Sequence, residues 1–190
     1  MGINGSSTGG FRKVTKNRRI SGVLLCFSRR ENKDVSFGGN GMTPNDILTY
    51  CQSNLKDVVL IESWGERGIF YNPNGVLKRG VYVLTVKEKN GDNDKGSMLN
   101  RNNVYRVNVG LRKQTFIKRF GYIPERPSAG NIVKMNYDFT VLDTIIPHPV
   151  YAWMGWVCVL NPSDETFEDF KEMIQESYEF AKEKFTNRKK

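Results

Sequence analysis

Between Phe167 and Phe185 the large apolar residues recur every third or fourth position: Phe167, Phe170, Ile174, Tyr178, Ala181 and Phe185. That spacing draws one apolar stripe down an α-helix of about six turns. Asn161-Pro162-Ser163 precedes it. Ser163 suits the N-cap, Asp164 and Glu165 suit the positive helix end, and Lys182 and Lys184 lie near the negative end. A helix with one long apolar stripe must lay it on another element, and the preceding segments read as strands.

The order of those segments defines the fold class. Thr43-Pro44-Asn45-Asp46 combines an N-cap Thr, a Pro at the first helical position and an acid three residues after the cap. A helix over about 44–55 follows, with Ile47, Leu48, Cys51 and Leu55 on one stripe. Asp57–Glu62 is a short apolar run of strand type, and Trp64–Gly68 reads as a turn into Ile69-Phe70-Tyr71. Asn72-Pro73-Asn74-Gly75 makes a further turn before a third strand, Gly80–Lys87. Residues 88–96 are polar, Gly-punctuated and expected to form a mobile loop that buries nothing. Val104–Val109 alternates, with Tyr105, Val107 and Val109 on one face and Arg106 and Asn108 on the other. Leu111–Phe120 reads as a short helix closed by Gly121. The chain then passes Val133–Tyr137, and a helical turn at Val141–Ile145 and a last strand over Val150–Leu160 complete the series. The result is an α+β fold, an antiparallel sheet with an N-terminal and a long C-terminal helix packed on it.

Charge separates this body from its ends. The net charge is +9, but residues 1–42 hold eight Lys/Arg against two acids, and Arg188, Lys189 and Lys190 close the chain. Residues 43–187 are therefore neutral overall and carry no general electrostatic footprint of a nucleic-acid binder. Residues 1–41 lack periodicity and read as a disordered basic leader or tag, 42–187 as a single domain, and 188–190 as a basic tail. Gly38-Gly39 lies where a ribosome-binding sequence would precede a start at Met42, so translated leader sequence is one expectation. The Met1-Gly2 start also fits the permissive myristoylation pattern, with the basic clusters as a second membrane signal.

Three cysteines, Cys26, Cys51 and Cys158, form no CxxC pair, and His148 is the single histidine, so no metal site is expected. An odd cysteine count without a credible signal peptide favours a reducing compartment, the cytoplasm. No apolar run reaches the length of a membrane span. No Walker loop, dinucleotide fingerprint, HExxH or GxSxG occurs, so no cofactor is expected.

The runs Pro147-His148-Pro149-Val150-Tyr151, Trp156-Val157-Cys158-Val159-Leu160-Asn161-Pro162 and Glu176-Ser177-Tyr178-Glu179 resemble an uncharacterised bacterial family that also opens on a short helix. More distantly, Trp156-Val157 and Ser177-Tyr178 resemble MmcQ/YjbR-like proteins. That second resemblance implies a sheet with terminal helices, an arrangement likened to a DNA-binding double wing. Neither family brings a catalytic residue to any position of this chain.

Three candidate sites remain. His148 is the one side chain with an unperturbed pKa near neutrality, so any imidazole general base must be His148, with Asp138 or Asp143 as possible partner. On the last strand Tyr151 and Trp153 oppose Gly155 and could floor an apolar pocket, although plain core is the simpler expectation. Trp153 is placed in the core and His148 at an accessible rim. Arg101, Arg106, Arg112, Lys113, Lys118 and Arg119 form the body's one basic cluster, which is either a phosphate-contacting face or a solvated helix surface. The sequence points first to a non-catalytic binding or regulatory module with an apolar site near His148, taking a small molecule or a protein partner. Nucleic-acid binding through 101–119 is the second expectation, and a small enzyme using His148 as base is the third.

Overall fold

The computed structural model describes residues 41–188. The basic leader up to residue 40, its lipidation pattern, Cys26, Lys189 and Lys190 lie outside the described residues.

Helix α1 spans Pro44–Asn54 and opens on a complete capping box, in which Thr43 and Asp46 satisfy each other's backbone N–H groups. Six strands follow in one sheet: β1 (Val58–Ser63), β2 (Glu66–Tyr71), β3 (Val81–Lys87), β4 (Arg106–Gly110), β5 (Ile146–Pro147) and β6 (Trp156–Leu160). Their spatial order is β1-β2-β3-β4-β6-β5, and every pairing is antiparallel. A short helix α2 (Lys113–Phe120) follows β4, and α3 (Asp164–Arg188) closes the described chain. The α+β class and both terminal helices are as the periodicity predicts.

The pleat sorts the side chains into two faces. Ile69, Leu84, Val109 and Val157 lie in register across four strands, and all four are buried. Tyr71, on the same face of β2 as Ile69, meets Tyr178 and Phe185 of α3 edge-on at 5.7 and 5.3 Å. Tyr50 of α1 meets Phe167 of α3 at 5.4 Å, so both terminal helices belong to this side. Ser177 and Tyr178, two residues behind the resemblances, are ties between α3 and the body. The Ser177 hydroxyl donates to the Val83 carbonyl at 2.6 Å, and the Tyr178 hydroxyl donates to that of Lys56 at 3.0 Å.

Three local expectations need correction. First, Val150–Leu160 is not one strand. Residues Ala152–Met154 form a 3-10 turn, Gly155 reverses the chain at φ 84°, and β6 begins only at Trp156. A Cβ at Gly155 would sit 2.8 Å from the Leu111 carbonyl oxygen, so this turn needs glycine twice over. Second, residues 141–145 form no helical turn. Third, the loop from 88 to 99 is built into the body, with Asp94, Ser97 and Leu99 all buried.

Candidate functional site

The sheet face turned away from α1 and α3 is unlike an apolar core. In register across it run Gly68, Thr85, Asn108 and Cys158, and beside them Glu66, Lys87, Arg106 and Leu160. Thr85, Lys87, Arg106 and Asn108 are all buried there. Two aromatic rings lie over bare backbone on the same face. A Cβ at Gly68 would fall 2.6 Å from Cε2 of Phe70, and one at Gly110 would fall 3.2 Å from Cε2 of Trp156. Both rings line a cavity of about 730 Å³. Thr85, Lys87, Asp94, Asn108 and His148 are among its polar lining, with Phe70, Tyr82, Tyr151 and Trp156 among its aromatic lining. At its mouth stands Trp64, 75% exposed, on the two-residue turn between β1 and β2. Both Trp64 and Gly65 have positive φ (55° and 72°), as a hairpin turn matched to sheet twist requires.

Arg106 explains why the 88–99 loop is docked. Its guanidinium, wholly buried, donates to both Asp94 carboxylate oxygens at 3.1 and 2.5 Å. It also donates to Ser97 Oγ at 2.9 Å and Asn108 Oδ1 at 2.7 Å. Lys87 Nζ reaches Asp94 at 3.1 Å and Glu66 at 2.9 Å. Burial alone would raise the Asp94 pKa, but the adjoining Arg106 outweighs it and holds the carboxyl well below its ordinary range. Burial likewise opposes the Lys87 charge, and its bond to Glu66 together with the Asp94 charge raises its pKa instead. Gly91 bridges to Asp94, and a Cβ on Gly91 would fall 3.0 Å from Lys87 Nζ. A Cβ at Gly96 would strike Ile132 Cγ2 at 2.6 Å and Pro149 Cβ at 2.9 Å, which shows how tightly the loop meets the segment beside His148.

His148 is 2% exposed, not at an accessible rim. Its Nδ1 accepts from the backbone N–H groups of Val150 and Tyr151, both at 3.0 Å. Its carbonyl accepts from Ala152 N at 3.1 Å, and these three bonds wind residues 148–152 into the turn that breaks the expected strand. Burial, followed by the charge of Arg106, lowers its pKa well below the usual histidine value. The ring is therefore neutral, and the proton sits on Nε2 because Nδ1 is an acceptor. Among the described residues no acceptor engages Nε2, and the ring lines the cavity. A general base needs a free lone pair, and this imidazole has given its own to the backbone. Asp138 and Asp143 are not its partners. Asp138 accepts from the amide and hydroxyl of Thr140, and Asp143 from the amide of Ser163.

The other sequence candidates divide. Tyr151 lines the cavity with its ring 4.9 Å from that of His148. Trp153 is only partly buried, lies outside the cavity lining and has Arg126 stacked on it at 4.9 Å. Its place in the core and the rim position of His148 are thus exchanged. The basic cluster is no single face either. Arg106 is inside the protein, Arg101 donates to the carbonyls of Ser97, Met98 and Thr140, and Arg112 pairs with Glu183 at 2.5 Å. Lys113, Lys118 and Arg119 stay exposed on α2. Cys158 is buried with its thiol pushed up to about 12, a range in which no thiolate nucleophile forms near neutrality. Among the described residues no group of three or more His, Cys, Asp and Glu side chains could hold a metal ion.

Sequence reasoning missed Thr85, Lys87, Asp94 and Asn108 as site residues. One signal was present: Thr85, Lys87, Arg106 and Asn108 are polar positions at period two inside otherwise apolar strands. That pattern fits a solvated face equally well, and nothing in the composition of the loop singles out Asp94.

A one-layer helical cover on an antiparallel sheet, with a polar-floored cavity on the other face, defines a small α+β pocket domain. The chain belongs to DUF6194, a family of unknown function, which it matches over residues 42–190. No curated protein and no solved structure matches it.

Proposed function

We propose that this domain is a non-catalytic binding module that takes a small molecule in the cavity between β3, β4 and the His148 turn. One observation carries the proposal: a buried neutral imidazole, locked through Nδ1, offers Nε2–H to the cavity with no protein acceptor among the described residues. The Nδ1 bonds hold this donor in one direction, so a ligand acceptor placed against it gains a net hydrogen bond of about 0.5–1.5 kcal/mol. The volume, about 730 Å³, is within the range of small-molecule sites, and aromatic walls with a few convergent polar groups are their usual make-up. The site is polar at its floor, which narrows the apolar pocket expected from sequence to an apolar wall. Binding without catalysis fits the groups present, since His148 has no free lone pair and the Cys158 thiol is buried and high. Two buried free thiols, Cys51 and Cys158, suit a reducing compartment such as the cytoplasm of a bacterium.

The test is a fragment screen on the full chain, followed by backbone amide and indole NMR shifts. Fragments that bind are expected to move Thr85, Asn108, His148 and Trp156 together. Hits that cluster on α2, or a screen of several hundred fragments without a cavity hit, would remove the proposal.

A further inference from the structure

The unclaimed hydrogens around the cavity bear on what it takes, given that it is a binding site. Among the described residues three donors are open there. His148 Nε2–H is the first. The Thr85 hydroxyl accepts from Asn108 Nδ2 at 2.9 Å and gives its own proton to no described acceptor. Lys87 uses two of its three N–H bonds, on Glu66 and Asp94. A carbonyl oxygen, with two lone pairs and no proton, complements donors of this kind.

The charges speak against an ionised ligand. Arg106 and Lys87 are already balanced by Asp94 and Glu66 through bonds of 2.5–3.1 Å. Asp92 on the lining adds a further negative charge. A carboxylate or phosphate at the floor would meet Lys87 and Arg106 already committed and a lining whose acids, Glu66, Asp92 and Asp94, outnumber its one cation. Arg79 Nη1, without a partner among the described residues, belongs to a guanidinium that stacks on Trp64 and lies outside that lining. A cation would meet Lys87, with Arg106 behind it, at the polar floor. An uncharged group meets neither obstacle.

The walls favour a ring. Phe70 and Tyr82 lie 4.3 Å apart, Tyr82 and Trp156 6.1 Å apart in a T-shaped arrangement, and Tyr151 beside His148. Planar heteroaromatic bodies match such surfaces through offset and edge-on contacts. We infer that the cavity selects an uncharged, planar ring compound that presents a carbonyl acceptor to Thr85, Lys87 and His148. This rests on the cavity being a binding site at all, which the fragment screen decides separately.

Matched trios of one- and two-ring heteroaromatics test it, each ring carrying an amide, a carboxylate or an aminomethyl group. Nicotinamide, nicotinate and 3-(aminomethyl)pyridine form the first trio. Titration into the full chain, read at the Thr85 and His148 amides and the Trp156 indole, is expected to favour the amide by about tenfold or more, the size of one good hydrogen bond. Thr85→Val and His148→Asn should each erase most of that preference. His148→Asn keeps a side-chain acceptor for the Val150 and Tyr151 amides, while its own N–H donors sit one bond nearer Cγ than Nε2 and leave the Nε2 position empty. Thr85→Val is nearly isosteric, so one failing to fold leaves the other. A carboxylate or amine that binds as tightly as its amide would overturn the inferred class and leave the cavity a binding site. Trios that all fail to bind, while unrelated fragments occupy the cavity, would overturn it as well.

Discussion

His148 holds the turn and faces the cavity at once, and its two nitrogens separate those roles. Replacing it by Leu orphans the amides of Val150 and Tyr151 and should cost about 1–3 kcal/mol in urea unfolding, whereas Asn should keep most of that stability. Its lowered pKa also fixes the sign of a pH effect. The unfolded chain takes up a proton on this ring near pH ~6.5, and the folded one does so only well below that. Stability from His148 is thus complete above ~6.5 and falls as the pH drops, by up to about 1.4 kcal/mol per unit. Asp94 shifts in the same sense but acts only below ~4, where its unfolded carboxyl protonates. Between pH 6.5 and 4.5 the slope should therefore flatten in His148→Asn, and an unchanged slope would mean that His148 is already charged in the fold. The importance of His148 was legible in its being the single histidine between two prolines. Its tautomer was not, because that depends on which amides a turn presents.

At the scale of elements, the clearest signals were the ones carried by local spacing. The Thr43/Asp46 capping box, the Ser163 N-cap and the stripe of α3 all stand where the residue pattern puts them. The 88–99 loop shows where such signals stop. Its hydrophilic composition predicts a solvated segment, yet Asp94 enters the core because Arg106, on a strand the loop reaches only in the fold, needs a counter-charge. Removing one member of a buried pair leaves the other uncompensated, so Asp94→Ala should cost about 3–5 kcal/mol. Asp92→Ala, two residues away and exposed, should stay within about 0.5 kcal/mol. Hydrogen exchange gives the same contrast. The Gly91 and Asp94 amides, bonded reciprocally at 3.1 Å, should be protected in the wild type and lose that protection in Asp94→Ala alone. Equal effects of the two substitutions would refute the docked loop.

For the whole molecule, both terminal helices share one side, and the sheet's second face is covered by loops and turns. The last strand hid this arrangement. The sequence run 150–160 is apolar on both faces when read as one extended segment, and only the turn at 148–155 removes half of it from the sheet. The body at 42–188 carries every element described, including the Met42 amide bonded to the Pro162 carbonyl at 3.1 Å and the Met42 carbonyl that accepts from the Tyr105 hydroxyl. A protein starting at Met42 is therefore expected to unfold within a few degrees of the full chain in calorimetry, since the core and the caps described lie within it. A fall of ten degrees or more would show that residues 1–41 belong to the fold.

The two glycines beneath Phe70 and Trp156 make the cavity a mould cast by missing side chains. Its width is written in the backbone, as two absent methyl groups, while its chemistry is written separately in Thr85, Lys87 and His148. Size and hydrogen-bonding character can then vary independently. One carbon atom at position 110 would crowd the Trp156 indole by a few tenths of an ångström, narrowing the chamber from its wall while every donor on the floor kept its place.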